Sequence, residues 1–255
     1  MNKPFFIKSF SVCCPDAELL GNIQLQVSDI DKTLIPVDMR RRTSMATRMA
    51  ITAARNACEQ AAIETHNLPS VFASLGGEIQ VTDSLCRSLD DDATLSPTRF
   101  LNSVHNTTAG YWGILNHCQA ATTALSAADD TFAMGLLEVC VQLQLQGGNC
   151  LLVCYDELWP QYLAPPSGSI AFACALVISL EATGALGSVS MPQINVNSAV
   201  TFSKEQTILA QAAPVAAAIP LLLALQNKLS TWVPLNIGSL IWGSKFTVRK
   251  TDNSV

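Results

Sequence analysis

Apolar and polar positions along this chain follow two periods in alternation. Residues 4–13 (PFFIKSFSVC) are rich in aromatic and β-branched side chains and read as a first strand. Residues 44–62 (SMATRMAITAARNACEQAA) read as a helix. Ala and Met dominate it, no Gly or Pro interrupts it, and Ser44 or Thr43 can cap it. Residues 68–77 (LPSVFASLGG) predict a strand that ends in a Gly-Gly turn, and Asp90-Asp91-Asp92 marks an exposed break. A helix follows over 106–118 (NTTAGYWGILNHC), with Asn106 or Thr107 as cap, and then a short strand of small and β-branched residues over 119–125 (QAATTAL). Ser126 is expected to open a long helix that Gly147-Gly148 stops. Residues 149–157 (NCLLVCYDE) and 170–181 (IAFACALVISLE) are continuous apolar strands on either side of a PPSGS loop. After Gly187 the pattern weakens to a polar stretch, an Ala/Leu helix over 205–229 and a last strand near 236–249. Strand–helix–strand alternation of this kind predicts an α/β layer fold.

Charge changes the picture. Only 14% of the 255 residues are charged and 49% are apolar, with mean hydropathy +0.29. An ordinary soluble domain carries about 25% charged residues, so the sparse polar cover predicts a surface that a partner hides. The composition excludes disorder, collagen and coiled coil. Fifteen Lys and Arg against twenty Asp and Glu leave a net charge of −5 and no basic excess for nucleic acid. Arg40, Arg41 and Arg42 stand before the 44–62 helix, at the wrong end of its dipole for cations. They are expected to be held by acidic partners or by solvent.

Ile208 to Leu225 (ILAQAAPVAAAIPLLLAL) raises the question of a membrane span, but Gln211, Pro214 and Pro220 interrupt it. It is expected to be a buried or partner-covered helix, with no span. The N-terminal residues lack the apolar core of a signal peptide. Most of the nine cysteines sit among aliphatic residues, which predicts reduced, buried thiols and a cytoplasmic protein. Cys150 and Cys154 have no further metal ligands near them in the chain, and no phosphate loop or dinucleotide fingerprint is visible. No metal or cofactor is expected.

The junction Ser126-Ala127-Ala128-Asp129-Asp130 carries the candidate chemistry. A strand running into a helix concentrates free N–H groups and positive dipole, which can stabilise a thiolate or an oxyanion. Here Ser126 is expected as N-cap, with Asp129 at the capping-box spacing. Two carboxylates in the first turn suit the dipole and oppose an anionic intermediate. Ser126 as a nucleophile is the alternative. His117 and Cys118 are adjacent on a helix and do not face each other, which argues against a dyad.

The run LNSVHNTTAGYWGILNHCQAATTALSAADDTFAMGLLEVCVQLQLQGGNCLLVCYDE resembles the N-terminal half of the β-ketoacyl synthases of the thiolase superfamily. MRRRTSMATRMAITAARNACEQAAI, VFASLGGE and PSGSIAFACALVISLE resemble further elements of that half, in the same order. The likeness covers roughly residues 30–182. It implies a thiolase-like layered α/β/α fold, mainly the N-terminal half with a reduced C-terminal part. The chain is expected to be a single domain, lobe-like over 1–187 with a reduced remnant over 188–255. The departures bear on activity. Ala127 falls where the family carries its nucleophilic cysteine, and no histidine follows residue 117, although the family's two catalytic histidines lie in its later half.

The resemblance therefore implies a non-catalytic chain-length factor, like the short partner subunits of aryl polyene and related type II polyketide pathways. Such a subunit would pair as a heterodimer with a full-length catalytic ketosynthase and meet an acyl carrier protein indirectly. It would complete the wall of the tunnel that holds the growing chain. The family pairs through the strand before the elbow, here 119–125. The candidate interface or tunnel residues are Phe100, Ser103, His105, Asn106, Tyr111, Trp112, Thr122, Thr123 and Ser126. The rival readings are an acyl-transfer enzyme with its nucleophile relocated to Ser126 or Cys118, and a purely structural scaffold.

Overall fold

In the computed structural model, residues 3–91, 94–194 and 201–249 are described. Asp92 of the acidic run and part of the polar stretch beyond Gly187 (195–200) lie outside them. One sheet gathers β1 (Phe5–Cys13), β2 (Ser70–Ala73), β3 (Thr122–Leu125), β4 (Asn149–Asp156), β5 (Phe172–Ser179), β6 (Gly187–Val189), β7 (Gln193–Ile194), β8 (Thr231–Pro234) and β9 (Trp242–Val248). Its order is β3-β2-β4-β5-β1-β6-β9-β7, and β8 also pairs with β9. β2 runs parallel to β3 and β4, while β5, β1, β6 and β9 continue antiparallel. The helices are α1 (Val37–Arg40), α2 (Met45–Gln60), α3 (Ile79–Asp90), α4 (Pro97–Leu101), α5 (Thr107–Leu115), α6 (Thr131–Gln146), α7 (Lys204–Ala212) and α8 (Ile219–Gln226).

β4 and β5 read as unbroken apolar runs because helices cover both faces of the sheet there. On one face α2 and α5 bury Met49, Ala53 and Trp112 against Phe72, Leu151, Val153 and Tyr155. On the other, α6, α8 and a 3-10 turn over Pro214–Ala218 bury Phe132, Leu136 and Leu222 against Val71, Leu152 and Leu176. The architecture is the expected layered α/β/α.

The helix expected over 205–229 is broken. α7 starts in a capping box, Ser203 with Gln206, and stops at Ala213, whose backbone is extended. Pro214 lacks the N–H that would continue the ladder, so a 3-10 turn intervenes before α8. Ala213 and Val215–Ile219 are fully buried in this chain's own core, so this segment is covered from within and is no partner surface. No helix among the described residues is long and apolar enough to cross a membrane. The last strand begins at Trp242 rather than near 236, and β6, β7 and β8 were not foreseen.

β6 to β9 thus extend the same sheet beyond β1, and one close approach constrains that extension. A methyl group on Gly187 would sit 2.5 Å from Phe246 Cε2 and 2.7 Å from the Thr247 carbonyl oxygen. Gly187→Ala should therefore lower stability by about 1–3 kcal/mol, as overpacking does, measurable by urea unfolding.

Candidate functional site

The elbow begins at the sheet's edge. β3 pairs with β2 alone, Ser70 opposite Thr122 through Ala73 opposite Leu125. Ser126 then turns outward, exposed, and its Oγ donates to the Leu75 carbonyl at 3.3 Å. It does not cap the helix as expected, and Asp129 makes no capping bond. A 3-10 turn over Ala128–Asp130 delays α6 to Thr131. Thr131 does the holding: its Oγ1 accepts from the Ala127 N–H at 3.1 Å and donates to the Ala128 carbonyl at 2.6 Å. That bracing maintains Ala128 at φ +49°, a left-handed conformation costing an alanine about 1–2 kcal/mol. Ala127 is the residue at the turn of the elbow. Asp130 is tied to the Asn236 side-chain amide, which also donates to the Leu240 carbonyl at 2.6 Å and accepts from the Trp242 N–H at 2.8 Å. The 235–241 loop is thereby anchored beside the elbow.

Behind the elbow, at the carboxyl ends of β2 and β4, lies a buried acidic cluster that sequence reasoning missed. Asp156 Oδ1 accepts from Ser74 Oγ (2.9 Å), Leu75 N (2.9 Å) and Gly76 N (3.2 Å). Glu157 bridges two helix starts, accepting from Gln80 N of α3 at 3.2 Å and Ala46 N of α2 at 3.4 Å. Glu78 Oε1 accepts from Thr47 Oγ1 (2.7 Å) and Thr108 Oγ1 (3.1 Å), while its Oε2 has no partner among the described residues. The available signal was the adjacent Asp-Glu pair closing an apolar strand, since buried carboxylates require donors.

Burial pushes the Asp156 carboxyl up to about 6, against the pull of its donors. Burial, reinforced by the neighbouring Glu78 and Asp156 carboxylates, pushes Glu157 up to about 7. In the unfolded chain such carboxyls titrate near 4. The folded protein therefore holds protons over a range where the unfolded chain has released them. The stability gained from the neutral forms is full below about pH 4 and is lost as pH rises through about 6 and 7. Thermal unfolding followed from pH 5 to 8 should show this decline, and Glu157→Gln should flatten its upper part.

The structure separates the predicted site residues. Trp112 is packed in this chain's own core: it is fully buried, 6.4 Å from the Phe72 ring, with the Arg55 guanidinium 5.9 Å from its own ring. β2 and α2 enclose it because its position faces inward on α5. His105 Nε2 bonds to the Ser74 carbonyl oxygen at 2.8 Å, beside the acidic cluster. Ser103 Oγ donates to the Phe100 carbonyl at 2.8 Å, and Tyr111 OH donates to Asn102 Oδ1 at 3.4 Å. Asn106 heads α5 without a side-chain capping bond. Thr122 Oγ1 meets Ser70 Oγ, and Thr123 Oγ1 accepts from Gln142 of α6 at 3.0 Å. Cys118 Sγ donates to the Leu68 carbonyl at 3.5 Å. Among the described residues, no group of three or more His, Cys, Asp or Glu side chains is arranged to hold a metal ion.

Both helical layers expose apolar side chains near the β3 end of the sheet. Phe100, Leu101, Val104 and Ile114 project from α4, α5 and the link between them, and Val141 and Leu145 from α6; Leu145 is 80% exposed. A groove of about 390 Å³ runs between α4 and α5, lined by Met39, Leu101, Val104, Tyr111 and Ile114. A larger cleft of about 650 Å³ opens on the other side of α4, with Met45, Val81 and Leu158 among its walls and Arg41, Arg42 and Arg99 around it.

No curated protein matches the chain by sequence. Solved structures match it over nearly its whole length. One is a chain of the ketosynthase (ApeO) in complex with its chain length factor (ApeC) from Xenorhabdus doucetiae: 16% identity, 95% of this chain and 99% of that one covered, TM-score 0.69. Another belongs to AntDE:AntF, a type II PKS acyl-carrier protein in complex with its ketosynthase: 13% identity, 98% and 100% covered, TM-score 0.72. A third is the ishigamide ketosynthase/chain length factor: 12% identity, 97% and 100% covered, TM-score 0.66. At these identities the likeness is one of fold. The sequence itself matches the family model for the β-ketoacyl synthase N-terminal domain over residues 20–234. With the elbow after β3 and the layered sheet around it, the chain belongs to the β-ketoacyl synthase family.

Proposed function

We propose that this chain is a non-catalytic, chain-length-factor-like subunit that pairs with a full-length ketosynthase and forms part of the wall around its growing acyl chain. The observation that carries this reading is the β3 end of the molecule. A four-residue edge strand without charge or proline is an unprotected template for another strand. Here helices on both sides of it also expose apolar side chains, as a core cut in half would. The groove beside Tyr111 opens on that face and would become an enclosed channel once covered.

Ala127 supports the absence of catalysis, because a methyl group cannot carry an acyl chain. Among the described residues, neither alternative nucleophile has a base within hydrogen-bond reach: Ser126 Oγ and Cys118 Sγ each bond to a backbone carbonyl. A heterodimer with the ketosynthase of the same genome should form on co-expression. Intact mass measured after incubation with acyl-carrier thioesters should show no adduct on this chain. A soluble monomer that never co-purifies overturns the pairing, and an acyl adduct on the isolated chain overturns the non-catalytic role.

A further inference from the structure

The cations of this acidic chain are unevenly spread. Arg40, Arg41, Arg42 and Arg48 gather around the start of α2, and Arg99 lies on α4 across the larger cleft. Among the described residues, side-chain ion pairs are confined to Arg87 with Asp83 and His66 with Glu64, so none of these five arginines meets a carboxylate. Arg40 and Arg48 direct guanidinium donors to main-chain carbonyls, and Arg99 reaches only Ser84 Oγ, at 3.0 Å. Arg41, Arg42 and Arg99 are exposed at the cleft. Arg42 and Arg48, at the start of α2, oppose that helix's dipole, and the clustered cations repel one another. An anion seated among them would relieve both repulsions.

The cleft also says what kind of anion fits. Its Met45, Val81 and Leu158 walls want apolar contact, and Glu157 on the inner side opposes a small free anion deep within. The occupant must hold its negative charges at the rim and apolar side chains inside, which describes a polypeptide segment. Arg42 and Asn102 line both this cleft and the groove beside α5. Asn102 Nδ2 donates to the Arg42 carbonyl at 3.1 Å, so the two hollows share one wall. A chain seated against α5 can therefore reach the cleft by crossing α4.

We propose that the arginine-rimmed cleft between α2, α3 and α4 receives an acidic segment of the pairing subunit, extending the β3-edge interface across α4. This rests on the pairing put forward above. The test uses the co-expressed complex and the triple variant Arg41→Glu, Arg42→Glu, Arg99→Glu, with Arg→Lys at the same positions as the conservative control. At low salt the Glu variant should bind the ketosynthase at least about tenfold more weakly, and the salt dependence of wild-type binding should disappear. The Lys variant should retain most of the affinity. The unfolding midpoint of the isolated chain should not move, because all three side chains are exposed. Unchanged ketosynthase affinity in the Glu variant, beside a wild-type that pairs, overturns the cleft assignment and leaves the pairing intact. A Glu variant that pairs normally yet loses acyl-carrier-protein binding in the complex also overturns it, assigning the cleft to the carrier. A wild-type chain that does not pair brings down the pairing and this inference together.

Discussion

Ile114→Glu combined with Leu145→Glu should abolish recovery of the ketosynthase complex while leaving the isolated chain folded. The two side chains project from α5 and α6, the helices flanking β3, and both are largely exposed in the single chain. In a pairing that continues the sheet across β3, both helical layers meet the partner as well. Each carboxylate would then be buried without a donor or cation chosen for it, which costs several kcal/mol. Loss of a central interface contact alone is worth 2 kcal/mol or more, roughly thirtyfold in affinity. Titration by surface plasmon resonance should show at least that loss. Exposed positions away from special features change stability by about 0.5 kcal/mol or less, so the unfolding midpoint of the isolated double variant should be close to that of wild-type. Leu229→Glu is the matched control. It is also exposed, but it precedes β8 at the opposite end of the sheet, and its complex should form normally. Equal loss in the control would mean that added charge, rather than its place, weakens binding.

Trp112→Ala should be the most damaging single change to the fold, at about 3–5 kcal/mol. Trp112 is among the largest fully buried side chains, and it joins α5 to β2 and α2 through Phe72 and Arg55. For a chain of this size each kcal/mol moves the thermal midpoint by about 2–4 °C, so a drop of roughly 6–20 °C is expected by calorimetry. Trp112→Phe separates volume from polarity. Among the described residues the indole Nε1 has no hydrogen-bond partner, so its removal forfeits none there, and the smaller ring should cost less than half as much. A Phe variant as unstable as the Ala variant would show that an unseen bond to Nε1 matters.

Where burial repeats with the period of the element, the residues announced the fold. β4 and β5 are continuous apolar runs because both faces are covered, and α2 declares itself by alanines that let it lie close to the sheet. Short pieces held by distant partners were harder. β8 is four residues ending in proline, and only its pairing with β9 makes it a strand. The helix over 205–229 was drawn through Pro214, although that proline's missing N–H already marked the break. At the site, the elbow was legible because strand, turn and helix are consecutive, but its cap was not. Ser126 has the right chemistry in the wrong place once a 3-10 turn displaces the helix start to Thr131. The acidic cluster escaped for a different reason. Glu157 is satisfied by Ala46 and Gln80, 111 and 77 residues away, and no local spacing records that.

The place of β1 in the sheet has a consequence for synthesis. β1 lies between β5 and β6, with Phe6 opposite Ser179 and Phe5 opposite Val189. Both ladder partners are made long after it, and nascent β1, with Phe5, Phe6, Ile7 and Phe10, must wait uncovered until they emerge. Loop closure over such separations makes folding slow and exposes the nascent chain to aggregation. Holdase chaperones should therefore engage this N-terminal segment, and ribosome-bound chains halted before residue 190 emerges should remain protease-sensitive throughout.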